Sequence, residues 1–261
     1  LAADRSSLID QKFTKFIANG FQAGFRHHCK KVLESGNRET YDLKLFKANQ
    51  ADFWVQLESM AVMAGDSTLN GRQFNTDITD RKQAEDVLCN ALDKSHQQAK
   101  EVTSLLESSQ AVLQYREFKD SAKSIFNSCK NLIGARAGYV ALLTPDGSEN
   151  DLLHLDAGGL SCAVDPTLPM PIRGLREKAY RSCKTVFDNR FSKSQWVDFL
   201  PDGHVMLENV LFAPLVIDGK AVGLLGLANK PGGFTEHDAR IAAGFSEFAS
   251  VALFNSRTLE S

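Results

Sequence analysis

The chain predicts an α+β fold in which two strand-bearing regions are separated by a long helical stretch. Three observations point there. Residues 39–78 hold three strand-like runs broken by turn-forming residues; residues 79–133 contain no Pro or Gly and are rich in Lys, Glu, Gln, Ala and Leu; and from about Ala135 the strands return, with a helix closing the chain. Helices and strands that are segregated rather than alternating argue for antiparallel sheets with helices packed on one face.

In the first region, a polar helix through "QAGFRHHCKKVLESGN" (residues 22–37) leads into "ETYDLKLFK", "DFWVQLESMAVM" and "NGRQFNTDI", separated by "ANQAD" and "AGDSTLNG". That pattern is a helix followed by an antiparallel meander. The last run passes into the next helix without a turn residue, in "FNTDITDRKQAEDVLCNAL" (residues 74–92). Asp77 or Thr79 is placed to accept bonds from the first free helical N–H groups, and Asp80 suits the positive helix end. Arg81 and Lys82 oppose that dipole and are expected to pair with carboxylates of the sheet.

Residues 79–133 read as one long helix or two joined end to end, and alternating steps of four and three pick out Ala84, Leu88, Ala91, Ser95, Gln98, Val102, Leu105, Ser109 and Val112, of which six are apolar. A two-residue seam of this kind suits a parallel coiled coil and hence a parallel homodimer, with Leu88, Val102 and Leu105 as its knobs. A single amphipathic helix packed on its own domain accounts for the same spacing.

The last region opens with "RAGYVALLTPDG" and "NDLLHLDAG", crosses a long irregular middle with most of the prolines, and returns to strand in "NVLFAPLVIDGKAVGLLGLAN". Asp218-Gly219 between two apolar runs is a two-residue hairpin signal, because both central positions of a type I′ turn need positive φ. The closing helix starts at Thr235, with Asp238 three residues on as its capping partner. Long loops crossing a sheet face are where pockets form, so the irregular middle is the candidate ligand site. It holds Arg173 beside Gly174 at a helix start, then Asn189, Phe191, Trp196, Phe199 and His204. A helix N-terminus with an Arg beside it suits a carboxylate or phosphate, with the aromatics closing over an apolar body. The plainer alternative is that Trp196 and Phe199 plug the core under the loop.

At 261 residues, 43% of them apolar, the chain is long enough for two domains, and it has no apolar run near the ~18–20 residues of a membrane helix. Thirty basic against 32 acidic residues give a formal charge of −2, so no basic field is available for nucleic acid or an anionic membrane surface. The five cysteines (Cys29, Cys89, Cys129, Cys162, Cys183) are scattered, without zinc-site or C-x-x-C spacing, as in reduced thiols of a cytoplasmic protein. The opening "LAADRSSLID" lacks the basic segment and apolar core of a signal peptide, and reads as the middle of a longer chain. "GLLGLANKPGG" lacks both the P-loop and the dinucleotide fingerprint. No metal, cofactor or catalytic set is evident.

Two resemblances cover nearly the whole chain. "TDITDRKQAEDVL", preceded by "VLESG", "LKLFK" and "FWVQLESMAV", is similar to the segment that closes PAS domains in bacterial signalling proteins, where such a run ends the last strand and starts the output helix. It implies a partial PAS domain over residues 1–80, lacking two N-terminal strands, and a connecting signalling helix over residues 81–112, with Asp77, Thr79, Asp80 and Arg81 in signal transfer. Some PAS domains ligate haem from the helix that here carries His27 and His28, but such a His pair on a Lys-rich helix reads as a solvated face. "GYVALLTPDG", "LPMPIRGLREKAY", "NVLFAPLVIDGKAVGLLGLANKPGGFTEHD" and "VALFNSRTLE" resemble a GAF domain, over about residues 105–258. The cyclic-nucleotide subset of that family carries an Asn-Lys…Phe-x-x-x-Asp-Glu signature; Asn229, Lys230, Phe234 and Asp238 match it, while Ala239 replaces the Glu, so these read as scaffolding. Together the resemblances imply the non-catalytic input region of a sensor histidine kinase, coupling small-molecule or redox sensing to output through the helix. The alternatives are a GAF-type free methionine sulfoxide reductase using the cysteines, and the input half of a transcriptional regulator or cyclic-dinucleotide enzyme.

Overall fold

The computed structural model describes residues 12–47, 50–64, 68–115, 117–159, 164 and 168–259. The chain divides into two compact units, Leu1–Ser95 and His96–Ser261. Cys162 and parts of the two turns between the first three strands lie outside the described residues.

In the first unit, helix α1 (Gln22–Ser35) precedes strands β1 (Glu39–Lys47), β2 (Gln50–Ala64) and β3 (Thr68–Asp77). The strands form an antiparallel sheet in the order β1-β2-β3, the meander that the turn residues predict. Period-two alternation puts Leu43, Leu45, Val55 and Leu57 into one core with Ile17 and Phe25. α1 meets that core through Phe25, His28 and Val32, which share one helical face. The solvated-face reading of the His pair therefore holds only for exposed His27. His28 is buried because its Nε2 lies 2.9 Å from the hydroxyl of Ser59 and its ring stacks on Tyr41.

The helix exit is built as its residues predict. Helix α2 (Thr79–Gln114) follows β3 after the single residue Ile78. The carboxylate of Asp77 accepts the Thr79 N–H at 2.9 Å and its hydroxyl at 2.7 Å, and Thr79 Oγ1 in turn accepts the Trp54 N–H. Arg81 and Lys82, misplaced against the helix dipole, each reach Asp42 on β1 at 3.2 Å. Burial raises the Asp42 carboxyl, yet the bonds from Gln56 and Lys82 outweigh it and leave the group below its ordinary value.

α2 ends before α3 (Phe118–Ile133), so the Pro- and Gly-free stretch is two helices and not one. The break has no local sequence cause; it lets the strongly amphipathic α3 lay Phe118, Ala122, Ile125, Phe126 and Cys129 into the core.

The second unit is a five-stranded antiparallel sheet of β4 (Ala137–Leu143), β5 (Asn150–Asp156), β6 (Val186–Asp188), β7 (Val210–Ile217) and β8 (Lys220–Ala228), ordered β5-β4-β8-β7-β6. Asp218 and Gly219 join β7 to β8 with φ of 50° and 73°, as the two-residue turn requires. β7 separates the layers by alternation. Leu211, Ala213 and Leu215 face α3 and the closing helix α5 (Glu236–Leu259), whereas Val210 and Phe212 face the other way, toward α4 (Leu175–Ser182). The sheet is thus flanked by helices, the long ones on one face and the short α4 on the other. The eight residues of α4 and the irregular middle cover the second face, and they leave room beneath them.

Candidate ligand site

That second face encloses a cavity of about 940 Å³, at the upper end of the range in which small-molecule sites fall. β4 contributes Tyr139, whose register partner across the sheet is Gly226 of β8. A Cβ at residue 226 would stand 2.7 Å from the Tyr139 ring, so glycine there lets the phenol lie over the sheet toward the cavity. β5 contributes Asn150 at its first position, and α4 contributes Arg176 at its second.

These three polar residues meet the cavity with unspent capacity. The Tyr139 hydroxyl, Asn150 Nδ2 and Arg176 Nη1 are all buried without a hydrogen-bond partner among the described residues. Asn150 is 6% exposed, and its Oδ1 accepts the Tyr180 hydroxyl at 2.5 Å, which turns the amide nitrogen away from that bond. Burial pushes the Tyr139 phenol up, and the neighbouring Arg176 guanidinium offsets part of this by its charge and by a side-chain approach to the phenol that falls short of normal hydrogen-bond geometry. Burial likewise raises Tyr180, with the nearby Tyr139 adding to it. No ion pair engages Arg176 among the described residues.

Of the residues that the sequence singles out, the cavity wall brings together Arg173, Gly174, Phe191, Trp196, Phe199 and His204. Asn189 stands apart from the wall. Its Oδ1 accepts the Phe234 N–H at 2.6 Å and its Nδ2 donates to the Phe234 carbonyl at 2.8 Å, stapling the irregular middle to the segment before α5. Arg173 is exposed and engaged, its Nη2 donating to the Phe199 carbonyl at 2.6 Å while the guanidinium lies 5.2 Å from the Phe199 ring centre. Gly174, at φ 68° and ψ −138°, is the N-cap of α4, and a Cβ on it would come within 3.1 Å of both Trp196 and Phe199. His204 Nδ1 donates to the carbonyl of Val205 at 2.8 Å.

Sequence reasoning missed Tyr139, Asn150 and Arg176. Tyr139 and Asn150 sit in runs that read simply as strands, and Arg176 is the second Arg of "RGLRE", where only the first adjoins the glycine. Arg173 precedes the positive-φ bend at Gly174 and lies outside the helix, whereas Arg176 is in its first turn, so the bend lets one Arg go to the surface and the other inward.

The Asn229–Asp238 segment is scaffolding. Asn229 accepts the Glu208 N–H and donates to the Met206 carbonyl, both at 2.9 Å. Buried Asp238 receives Lys230 at 2.5 Å, the Thr235 N–H at 2.7 Å and the Thr235 hydroxyl at 2.8 Å. Cys129 is fully buried in the core beneath α5, where burial and then the charge of Asp238 push its thiol up. No group of three or more His, Cys, Asp or Glu suited to a metal occurs among the described residues.

An antiparallel five-stranded sheet with two long helices on one face, and a roofed cavity on the other, is the architecture of a small regulatory α+β domain. The GAF domain family model matches residues 116–253, more than half of the chain, and the chain belongs to that family. Among solved structures it is similar to the GAF domain of a phosphoenolpyruvate-protein phosphotransferase from Acinetobacter, at 18% identity and TM-score 0.52 over 60% of this chain and 95% of that one. It is also similar to the GAF domain of a phosphoenolpyruvate-protein phosphotransferase from Coxiella burnetii, at 14% identity and TM-score 0.54 over 62% of this chain and 97% of that one. At such identities the likeness concerns the fold. No curated protein matches the chain.

Proposed function

We propose that this chain is a non-catalytic sensory and dimerisation module of a cytoplasmic signalling protein, the PAS–GAF input region of a sensor histidine kinase. The observation that carries the sensory reading is the cavity of about 940 Å³, walled by aromatic side chains and holding three buried polar groups without partners. Such groups are costly when left unmade, so a site that keeps them is shaped for something that completes them. Catalysis by the thiol route is disfavoured by Cys129, which is sealed in the core as a neutral thiol.

The relay is α2. Its residues 83–100 are exposed on every side, a stretch of helix that has little to stabilise it alone in water. Of its six large exposed apolar side chains, Leu88, Leu92, Val102, Leu106 and Leu113 fall on one series of alternating four- and three-residue steps, and Val87 lies beside it. Leu105, by contrast, packs half-buried against the second unit's own core. We therefore set the parallel homodimer seam on Leu88 and Val102 with Leu92, Leu106 and Leu113, leaving Leu105 to the domain. Asp77, Thr79, Asp80 and Arg81 lie at the start of that relay.

A thermal-shift screen of a broad metabolite set against the whole chain tests the sensory reading. A ligand at a hundredfold excess over Kd stabilises by about 2.7 kcal/mol, a readily visible shift. Such a shift, diminished by Trp196→Ala, supports the reading; no shift from any compound contradicts it.

A further inference from the structure

We infer that the Tyr139–Asn150–Arg176 cluster is a carboxylate-recognition subsite, and that the cavity takes an amphipathic monocarboxylate whose apolar body lies against the Trp196–Phe199 wall. The inference rests on the sensory reading above and specifies its ligand class.

The unpartnered atoms define the chemistry. Arg176 Nη1 and Asn150 Nδ2 can only donate, and the Tyr139 hydroxyl can donate as well. Three donors converging on one cavity call for a group made of acceptors. A half-buried guanidinium whose Nη1 is fully covered, and which no ion pair engages among the described residues, further calls for that group to be negative, because an unpaired charge in a poorly solvated place is disfavoured. Arg176 is the one cation of the cluster. A carboxylate brings a single charge to match it, whereas a phosphate monoester brings up to two at neutral pH and would leave the surplus desolvated.

Neighbouring charges agree. Arg173 also reaches the wall, but it is exposed and its Nη2 is committed to the Phe199 carbonyl. Asp156 is matched by Lys130 at 2.5 Å. Glu149 and Asp151 flank Asn150 along the chain and also line the cavity, Asp151 as an exposed residue and Glu149 half-buried, so solvent screens them more than it screens the buried Asn150 amide. The position of Arg176 adds to the case: as the second residue of α4 it lies where free backbone N–H groups and the positive helix end also favour an anion. The apolar body is called for by the ring pair Trp196 and Phe199, whose centres lie 6.2 Å apart, and by Phe212 beside Tyr139.

The test uses four probes of matched shape on the full chain, followed by calorimetry and by the fluorescence of Trp196 in a Trp54→Phe background. The probes are phenylacetate, phenylacetamide, phenyl phosphate and phenethylamine. Phenylacetate should bind best, and Arg176→Gln and Tyr139→Phe should each weaken it about tenfold or more, the scale of a charge-assisted hydrogen bond. If the amide, the amine or the phosphate binds as well as the carboxylate, or if Arg176→Gln leaves phenylacetate binding unchanged, the subsite assignment is wrong while the sensory reading stands. If no probe binds, the assignment fails, and the metabolite screen decides the sensory reading separately. Melting of the ligand-free Arg176→Leu variant gives an independent check. Removing an uncompensated half-buried charge should leave the melting temperature unchanged or raised, and a fall of several degrees would show Arg176 to be a packing residue instead.

Discussion

At the residue scale, the two units are secured by buried polar side chains, with a distant partner for His28 in the first and near ones for Asp238 in the second. His28 has an imidazole pKa lowered by burial, which Glu39 opposes and Lys31 reinforces. A base whose pKa falls on folding leaves the unfolded chain binding more protons below about pH 6.5, so stability is full above that value and declines as the pH drops through it. Denaturant midpoints of the first unit between about pH 7.5 and about pH 5.5 should therefore fall, and His28→Gln should flatten that slope. An unchanged slope in the variant would remove His28 from the acid response. In the second unit, Lys230→Met leaves Asp238 buried at 5% exposure with only the Thr235 bonds. This should cost about 3 kcal/mol by denaturant titration. Arg81→Ala should cost less than about 1 kcal/mol, since its pairing with Asp42 is exposed and Lys82 still serves the same carboxylate. Some of this was legible in the sequence. The charges at the helix entry and the Thr235–Asp238 cap announce themselves locally, because dipole and capping rules act within a few residues. The partners of His28 and the cluster of Tyr139, Asn150 and Arg176 do not, because strand register and helix phase bring them together from 10 to 40 residues apart.

At the scale of elements, period-two and helical patterns located the strands β1 to β5, the β7–β8 hairpin and the closing helix, since each buries a single face. They missed β6, whose three residues are too few to show a period, and left open whether residues 79–133 form one helix or two joined end to end, because no Gly or Pro marks the break before α3. The apolar spacing of α2 was legible in the sequence, but its phase was not. Leu88, Val102 and Ser95 belong to two interleaved heptad series, and only packing shows that Leu105 and Val112 belong to the core and Leu106 and Leu113 to the outside. The two faces make separable predictions. Leu105→Asp should lower the melting temperature of the second unit, because it sets a carboxylate against packed apolar groups. Leu106→Asp should leave that melting temperature nearly unchanged while weakening self-association. The reverse pattern would return the seam to the first series. In a full-length parent kinase, inserting one residue near Ser95 rotates the helix by ~100° and should lock or uncouple output, whereas seven residues nearly restore the facing and should largely spare it.

At the scale of the whole molecule, one continuous helix, Thr79–Gln114, runs along the chain from the sheet of three antiparallel strands to the GAF domain. The helix can relay a state only if it works against a fixed reference, and in this account that reference is the same helix of a second chain. Light scattering on the eluting 261-residue chain at micromolar concentration tests this most directly. The account predicts a mass twice the 28.7 kDa of one chain, reduced to that of one chain by Leu88→Asp combined with Val102→Asp without loss of helix content. A single-chain mass for the unaltered protein, or a dimer indifferent to both substitutions, would contradict it.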